Sequence, residues 1–172
     1  TFTILYASQP QPILANRMKS INDFVDSMLL FSQKKIKIII RLHPREINDY
    51  SLYYDALSKL EAYNVELDKG EELFSQLNKA DALVTSYSTV ARDALILYKP
   101  IILQDYSGVD VTGLIKENIA INTNNSKDLN IELNKIKSGE TKIEKQNYDR
   151  LLKDSYTNLN FNVANDIVKL MK

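Results

Sequence analysis

The sequence IKIIIRLHPRE, residues 36–46, joins an apolar stretch directly to a short polar motif. Only Lys37 and Arg41 interrupt the apolar part, as is typical of a β-strand that is covered on both faces of a sheet. A second apolar stretch passes in the same way into a polar motif over residues 80–89, where a helical pattern begins. Strands of this kind that alternate with helices predict right-handed βαβ units and a parallel sheet.

The other periodic segments fit the same architecture. Apolar runs predict strands, and apolar spacings of three and four predict helices between them. The predicted strands are 2–6, 36–42, 63–67, 82–85, 101–103 and 119–121, and the predicted helices are 14–28, 50–61, 71–78, 89–97, 127–137, 143–154 and 159–171. We therefore predict one Rossmann-like nucleotide-binding domain over residues 1–172, an α/β fold. Its parallel sheet has about six strands, with helices on both faces and a C-terminal helical tail.

Composition excludes several classes of function. The chain has no cysteine and one histidine, so disulfides, thiolate metal sites and a histidine cluster for zinc are excluded. Its 22 acidic and 22 basic residues balance, and we expect no nucleic-acid partner. No apolar run approaches the ~20 residues of a membrane span and no secretory signal is visible, so we expect a cytoplasmic protein. We also expect no metal and no cofactor other than the substrate nucleotide.

The start of the chain and its few glycines bear on domain organisation and on phosphate binding. The sequence begins at Thr1 and enters a strand at once, and we expect it to be a fragment of a longer two-domain protein. It has only 4 glycines and no glycine-rich phosphate loop. A phosphate site in this chain must therefore use hydroxyl groups and helix N-termini.

The polar motif after the second predicted strand is the first candidate site. In open α/β sheets, ligands bind outside the carboxyl ends of the strands. His43 is the only histidine, and its imidazole together with the Arg45 guanidinium suits a phosphate oxygen. Pro44 favours extended geometry at His43, so a simple turn at the strand end is the alternative reading. We predict that His43, Pro44 and Arg45 contact a nucleotide.

The motif after the fourth predicted strand is the second candidate. Ser86, Tyr87, Ser88 and Thr89 stand at the start of a helix, whose free N–H groups and positive dipole end favour an anion. Asp93 lies one turn beyond Thr89 on the same face, where it could orient the cap or bind a ribose hydroxyl. A helix cap with a packed tyrosine is the alternative reading.

Two further pairs of polar residues follow predicted strands at the same edge of the sheet. Ser8 and Gln9 come after the first strand, and Asp105 and Tyr106 come after the fifth. We predict that these four residues also contact the nucleotide.

These motifs, in this order, resemble a known family of enzymes. The pattern is similar to the C-terminal half of GT-B glycosyltransferases that build bacterial surface polymers. It consists, in chain order, of His43-Pro44, Thr85–Asp93 and Lys99–Ile102. Two branches fit, the sialyltransferases and polysialyltransferases that use CMP-sialic acid, and the teichoic-acid glycerophosphotransferases that use CDP-glycerol. Ser86 stands where the glycerophosphotransferase pattern usually has aspartate. The UDP-sugar 2-epimerases share the fold, but their serine-glycine-glycine phosphate loop is missing here.

The resemblance carries expectations about function. It implies a donor site for a CMP-, CDP- or UDP-linked sugar or related donor, in which His43 and Ser88-Thr89 bind the nucleotide phosphate and His43 is catalytic. It implies an N-terminal acceptor domain outside this chain that supplies the general base, so the isolated domain is expected to be inactive. The parent enzyme would make capsule or related cell-surface polysaccharide and associate peripherally with the membrane. The alternatives are half of an epimerase-like enzyme and a non-catalytic Rossmann-like binding module.

Overall fold

The computed structural model describes residues 1–32, 35–46, 50–68 and 72–155. The strands are β1 (Phe2–Ala7), β2 (Ile36–Arg41), β3 (Asn64–Leu67), β4 (Ala82–Thr85), β5 (Ile101–Leu103) and β6 (Ala120–Asn122). The helices are α1 (Leu14–Leu29), α2 (Ser51–Ser58), α3 (Leu73–Lys79), α4 (Val90–Ile96), α5 (Ser126–Ser138) and α6 (Lys145–Ser155). The predicted helix 159–171 lies outside the described residues.

The six strands form one parallel sheet in the order β3-β2-β1-β4-β5-β6. This order confirms the predicted Rossmann-like fold. Strand β1 lies at the centre, where Ile4 pairs with Ile38 of β2 on one side and with Ala82 of β4 on the other. The chain runs outward from β1 in both directions, so the strand order reverses between β1 and β4. In such sheets the crevice for ligands opens at the carboxyl ends of the strands at this reversal.

The core has two halves, one on each face of the sheet. Ile4 and Tyr6 of β1 pack with α1, α2 and α5 on one face, whereas Leu5 and Ala7 pack with α3, α4 and α6 on the other. The same alternation divides the isoleucines of β2, because successive side chains of a strand point to opposite faces. Burial on both faces is the reason that these strands read as nearly continuous apolar runs.

Side chains and one glycine set several helix ends. The Glu72 carboxylate accepts hydrogen bonds from the Phe74 and Ser75 amides at the start of α3. The Asn125 side chain accepts from the Asp128 amide at the start of α5, which ends at Gly139 with a left-handed φ of 78°. Glycine is suited to that position because a Cβ atom is strained there. In the described part of the chain, no helix combines the length and the apolar composition needed to cross a membrane.

The Lys99-Pro100 turn lies at the amino edge of the sheet, opposite the strand ends that carry the candidate motifs. The Lys99 ammonium donates to the carbonyl oxygens of Asn78 (3.1 Å) and Ala80 (2.8 Å), where α3 ends. Partial burial lowers the pKa of Lys99. Its neighbour Tyr98 donates to the Asp149 carboxylate on α6. The part of the family-like pattern around Lys99 therefore holds helices against the sheet rather than facing the crevice.

Candidate functional site

The candidate motifs converge because they follow neighbouring strands. Ser8 follows β1, His43 follows β2, Ser86 follows β4 and Asp105 follows β5, and these four strands are adjacent in the sheet. The strands are parallel, so all four residues lie at the same carboxyl edge. The edge includes the crevice between β1 and β4 where the strand order reverses.

Ser8 links β1 to the loop that contains His43. Its amide donates to the Arg41 carbonyl oxygen at 2.9 Å, and its hydroxyl oxygen accepts from the His43 amide at 2.8 Å. The same hydroxyl donates to the Glu46 carboxylate at 2.5 Å. Ser8 is buried, and its hydroxyl is already engaged by protein groups. A direct contact between Ser8 and a nucleotide remains a prediction.

The backbone of the loop orients the His43 imidazole. The ring Nδ1 accepts a hydrogen bond from the Arg45 amide at 3.2 Å. This bond makes Nδ1 the acceptor, so the neutral ring carries its hydrogen on Nε2. His43 is partly exposed, and Pro44 and Arg45 are exposed. The loop therefore carries an imidazole N–H donor and an exposed arginine at the carboxyl edge.

Glu46 anchors this loop from below. Its carboxylate is 1% exposed, and it accepts from the Ser8 hydroxyl and from the Tyr53 hydroxyl at 2.5 Å. The Arg17 guanidinium of α1 pairs with it at 3.2 Å. Burial and the hydrogen bond to Glu46 raise the pKa of Tyr53. This cluster joins residues 8, 17 and 46 with Tyr53 of α2, and it is a finding of the structure.

Gln11 and Ser86 join the two sides of the crevice. The Gln11 amide group donates to the Ser86 hydroxyl oxygen at 2.9 Å, and both residues are buried. Below them the Thr85 hydroxyl donates to the Ala7 carbonyl oxygen at 2.7 Å. The loops after β1 and β4 are therefore fixed to each other. Gln9, two residues before Gln11, is partly exposed at this edge. The sequence pointed to Gln9 and Ser86 but gave no signal for Gln11.

Ser88 and Thr89 stand where α4 begins. The Ser88 hydroxyl oxygen accepts from the Val90 amide at 3.3 Å, and Ser88 is buried. Thr89 is exposed and its side chain makes no capping hydrogen bond. The predicted cap at the helix start is thus made by Ser88, and the Thr89 hydroxyl faces solvent.

Asp93 lies in the first turn of α4 and is partly buried. Burial raises the pKa of its carboxyl above the ordinary 3.8. A carboxyl group held near a crevice with a raised pKa is a common feature of functional sites.

The raised pKa of Asp93 predicts how a variant responds to pH. Folding favours the protonated acid, so its stabilising contribution is complete below pH 3.8 and is lost as the pH rises through the folded-state pKa. At neutral pH the partly dehydrated carboxylate therefore lowers stability. We expect Asp93→Asn to raise the melting temperature at neutral pH, and the gain to shrink as the pH falls toward 3.8. Thermal unfolding followed by circular dichroism over this pH range tests the expectation. A lower melting temperature at neutral pH would show that attraction of the carboxylate to the helix N-terminus dominates.

Asp105 is held inside its own turn. Its Oδ1 accepts from the Ser107 amide at 2.9 Å and from the Ser107 hydroxyl. Its backbone pairs with the Asn122 side chain, which accepts from the Asp105 amide and donates to its carbonyl oxygen. Burial and the charge of Asp105 raise the pKa of Tyr87, which places these two predicted residues near each other.

Tyr106 packs against α1. Its hydroxyl donates to the Asp23 carboxylate at 2.8 Å, and the Lys19 ammonium lies 4.6 Å from the centre of its ring. Arg41, the last residue of β2, donates to Asp68 after β3 (2.8 Å) and to Gln76 of α3 (2.9 Å). Both side chains are thus bound to neighbouring elements, and nucleotide contact by Tyr106 stays a prediction.

One cavity formed by described residues does not coincide with this cluster. It measures about 660 Å³ and lies at the amino edge of the sheet, where Thr1, Asp81 and Lys137 contribute to its lining. Ligands of open parallel sheets bind at the opposite edge, so we place the candidate site at the crevice between β1 and β4.

Sequence comparison gives the family. The model of the CDP-glycerol:poly(glycerophosphate) glycerophosphotransferase family matches residues 21–108, just over half of the chain. The chain belongs to this family. The match includes His43 and the whole segment from Ser86 to Asp93. It selects the glycerophosphotransferase branch of the resemblance, and the sialyltransferase branch remains a prediction. A search of curated proteins finds no significant match.

Solved structures with the same fold include glycosyltransferases and epimerases. The wall teichoic acid polymerase TagF has a TM-score of 0.65 and 18% identity, over 99% of this chain and 42% of that one. The UDP-GlcNAc 2-epimerase from Neisseria meningitidis was solved with UDP-GlcNAc bound. It has a TM-score of 0.64 and 16% identity, over 92% of this chain and 45% of the epimerase.

A third match supports the assignment to the C-terminal half of the GT-B fold. The C-terminal domain of the glycosyl transferase LpcC from Francisella tularensis has a TM-score of 0.58 and 14% identity, over 90% of this chain and 86% of that domain. The chain spans less than half the length of TagF and of the epimerase. At these identities the likeness shows the fold, which is that of one GT-B half.

Proposed function

We propose that this chain binds the donor nucleotide of a transferase that uses a CDP-linked donor of the CDP-glycerol type in the synthesis of a bacterial cell-surface polymer. The observation that carries the proposal is the family match over residues 21–108, because the matched segment contains the motifs after β2, β4 and β5 that lie at the carboxyl edge. In this proposal an N-terminal domain outside the 172 residues binds the acceptor and supplies the base. We place the transferase in the cytoplasm, with peripheral contact to the membrane.

The diphosphate would lie between the His43 loop and the start of α4. The His43 Nε2–H and the Arg45 guanidinium are donors for phosphate oxygens on one side. The Thr89 hydroxyl is exposed on the other side, above a helix start that Ser88 caps. The other predicted contacts along the same edge are Pro44, Tyr87, Gln9 and Asp105, together with Ser8 and Tyr106.

The transfer step would use these groups on the departing nucleotide. An acceptor hydroxyl attacks the phosphorus of the glycerol phosphate, a new P–O bond forms, and the P–O bond to CMP breaks. The acceptor proton passes to the base of the other domain, and the electron pair of the broken bond remains on CMP. His43 and Arg45 would stabilise the negative charge that develops on the CMP phosphate.

Asp93 and Ser86 both lie on the β4–α4 side of that diphosphate. The Asp93 carboxylate, one helical turn beyond Thr89, is suited to accept a hydrogen bond from a ribose hydroxyl. Ser86 is neutral where the family pattern usually has aspartate, and its hydroxyl oxygen is occupied by Gln11. The crevice therefore lacks one negative charge that would oppose a diphosphate.

Isothermal titration calorimetry with CDP, CMP and UDP tests the proposal. We expect saturable binding of CDP, with CMP weaker because it lacks the second phosphate and UDP weaker because its base differs. Absence of heat with all three nucleotides would contradict the proposal and favour a non-catalytic Rossmann-like module. A clear preference for CMP over CDP would instead favour a sialyltransferase-like donor.

One observation favours a second candidate, an enzyme of UDP-linked sugars. The likeness to the UDP-GlcNAc 2-epimerase, at a TM-score of 0.64, is nearly as high as the likeness to TagF. Tighter binding of UDP than of CDP in the same titration would select this candidate.

A further inference from the structure

The geometry points to Glu46 as a positioning residue that acts on His43 through Ser8. This inference rests on the proposed function, because it assigns a role within the same nucleotide site. Glu46 itself is buried and would not contact the nucleotide. It holds the loop in the conformation that presents the imidazole.

Two hydrogen bonds connect Glu46 to His43 through Ser8. The Glu46 carboxylate accepts from the Ser8 hydroxyl at 2.5 Å, and the Ser8 hydroxyl oxygen accepts from the His43 amide at 2.8 Å. A hydroxyl that donates to a carboxylate becomes a stronger acceptor, because hydrogen bonds in a chain polarise one another. The backbone of His43 is therefore fixed by a short chain of two hydrogen bonds.

Hydrogen bonds within the loop also hold His43. The Glu46 amide donates to the His43 carbonyl oxygen at 2.7 Å, and the Arg45 amide donates to His43 Nδ1 at 3.2 Å. His43 is thus held at its amide, its carbonyl oxygen and its ring. Two of these three contacts involve Glu46 directly or through Ser8.

Burying the Glu46 carboxylate costs free energy. A carboxylate that is 1% exposed is expensive to bury unless charges and donors satisfy it. Tyr53 from α2 and Arg17 from α1 meet that need, so two helices hold the carboxylate in place. A leucine or methionine would satisfy a purely structural position at lower cost, whereas a polar cluster is warranted where loop geometry must be precise.

The experiment compares variants of this network in the 172-residue chain. Ser8→Ala removes the link between Glu46 and His43, and Glu46→Gln removes the charge and one acceptor while it keeps the shape. Tyr53→Phe removes one donor to Glu46 and provides a milder variant. The matched control is Tyr98→Phe, which removes a tyrosine–carboxylate hydrogen bond to Asp149 at the opposite edge of the sheet.

Two measurements separate positioning from stability. Calorimetry gives the dissociation constant of CDP below the melting temperature of each variant, and NMR gives the imidazole and amide signals of His43 in the empty chain. We expect Ser8→Ala and Glu46→Gln to weaken CDP binding about fivefold, as for the loss of one hydrogen bond, and to shift the His43 signals. Tyr98→Phe should change neither, even where it lowers the melting temperature.

The outcomes distinguish this inference from the proposed function. If wild type binds CDP and His43→Ala weakens it, but Ser8→Ala and Tyr53→Phe retain the wild-type affinity and His43 signals, the positioning role is overturned and the nucleotide site stands. If wild type does not bind CDP, the proposed function fails and this inference fails with it. Should Glu46→Gln not fold, Ser8→Ala and Tyr53→Phe decide between these outcomes.

Discussion

Replacing His43 with alanine is expected to weaken CDP binding by about 10- to 100-fold, as for the loss of a charge-assisted hydrogen bond to phosphate. The structure places the ring at the carboxyl edge with Nδ1 occupied by the Arg45 amide. The remaining ring nitrogen is the donor that the nucleotide would lose. Calorimetric titration with CDP measures the effect.

The fold should survive this change. His43 is partly exposed and lies in a loop, so its removal takes little apolar surface out of the core. We expect the melting temperature to stay close to that of wild type. The matched control is Asn78→Ala, an exposed polar residue where α3 ends near the amino edge of the sheet. If His43→Ala and wild type bind CDP with equal affinity, the imidazole does not contribute to nucleotide binding.

Phe24→Ala is expected to lower the free energy of unfolding by about 3–5 kcal/mol, the usual result of removing a buried phenyl ring. Phe24 of α1 is 0% exposed, and its ring centre lies 4.5 Å from that of Tyr6 on the central strand β1. The neighbouring side chains are close-packed, so they can collapse only partly into the space left behind. Urea denaturation measures the loss.

A matched aromatic substitution checks that the effect arises from burial. Tyr54→Ala removes a ring that is 62% exposed on α2, and we expect it to change stability by less than about 0.5 kcal/mol. Phe24→Ala should still bind CDP at a temperature where it is folded, since the ring lies in the core and not at the carboxyl edge. A loss below about 1 kcal/mol for Phe24→Ala would contradict the described packing of α1.

Much of the fold was predictable because burial on both faces leaves a strong mark in the sequence. The run at 36–42 is apolar except at Lys37 and Arg41, as is typical of a strand covered on both sides. Strand β4 has the predicted bounds, Ala82–Thr85, and all four of its residues are buried. The prediction of α2 was too long, since the helix ends at Ser58 and turns follow it. The order of the strands was not predictable, because it depends on the side to which each crossover turns.

The candidate site was predictable only in outline. The position of His43 and Ser86 after strands is a local property of the sequence, and a parallel sheet brings such positions together. The bonds that fix them are not local. Ser8 contacts Glu46 across 38 residues and Gln11 contacts Ser86 across 75. No periodicity or motif encodes such a pair, and a buried glutamate reads in the sequence like an exposed one.

The central claim is that the carboxyl edge beside His43 binds a cytidine nucleotide. The chain has a single histidine, so its imidazole signals report on this edge without ambiguity. The most direct measurement is an NMR titration of those signals with CDP. We predict saturable shifts, with the same dissociation constant as calorimetry and a smaller response to UDP. His43 signals that stay unchanged up to millimolar CDP would contradict this claim.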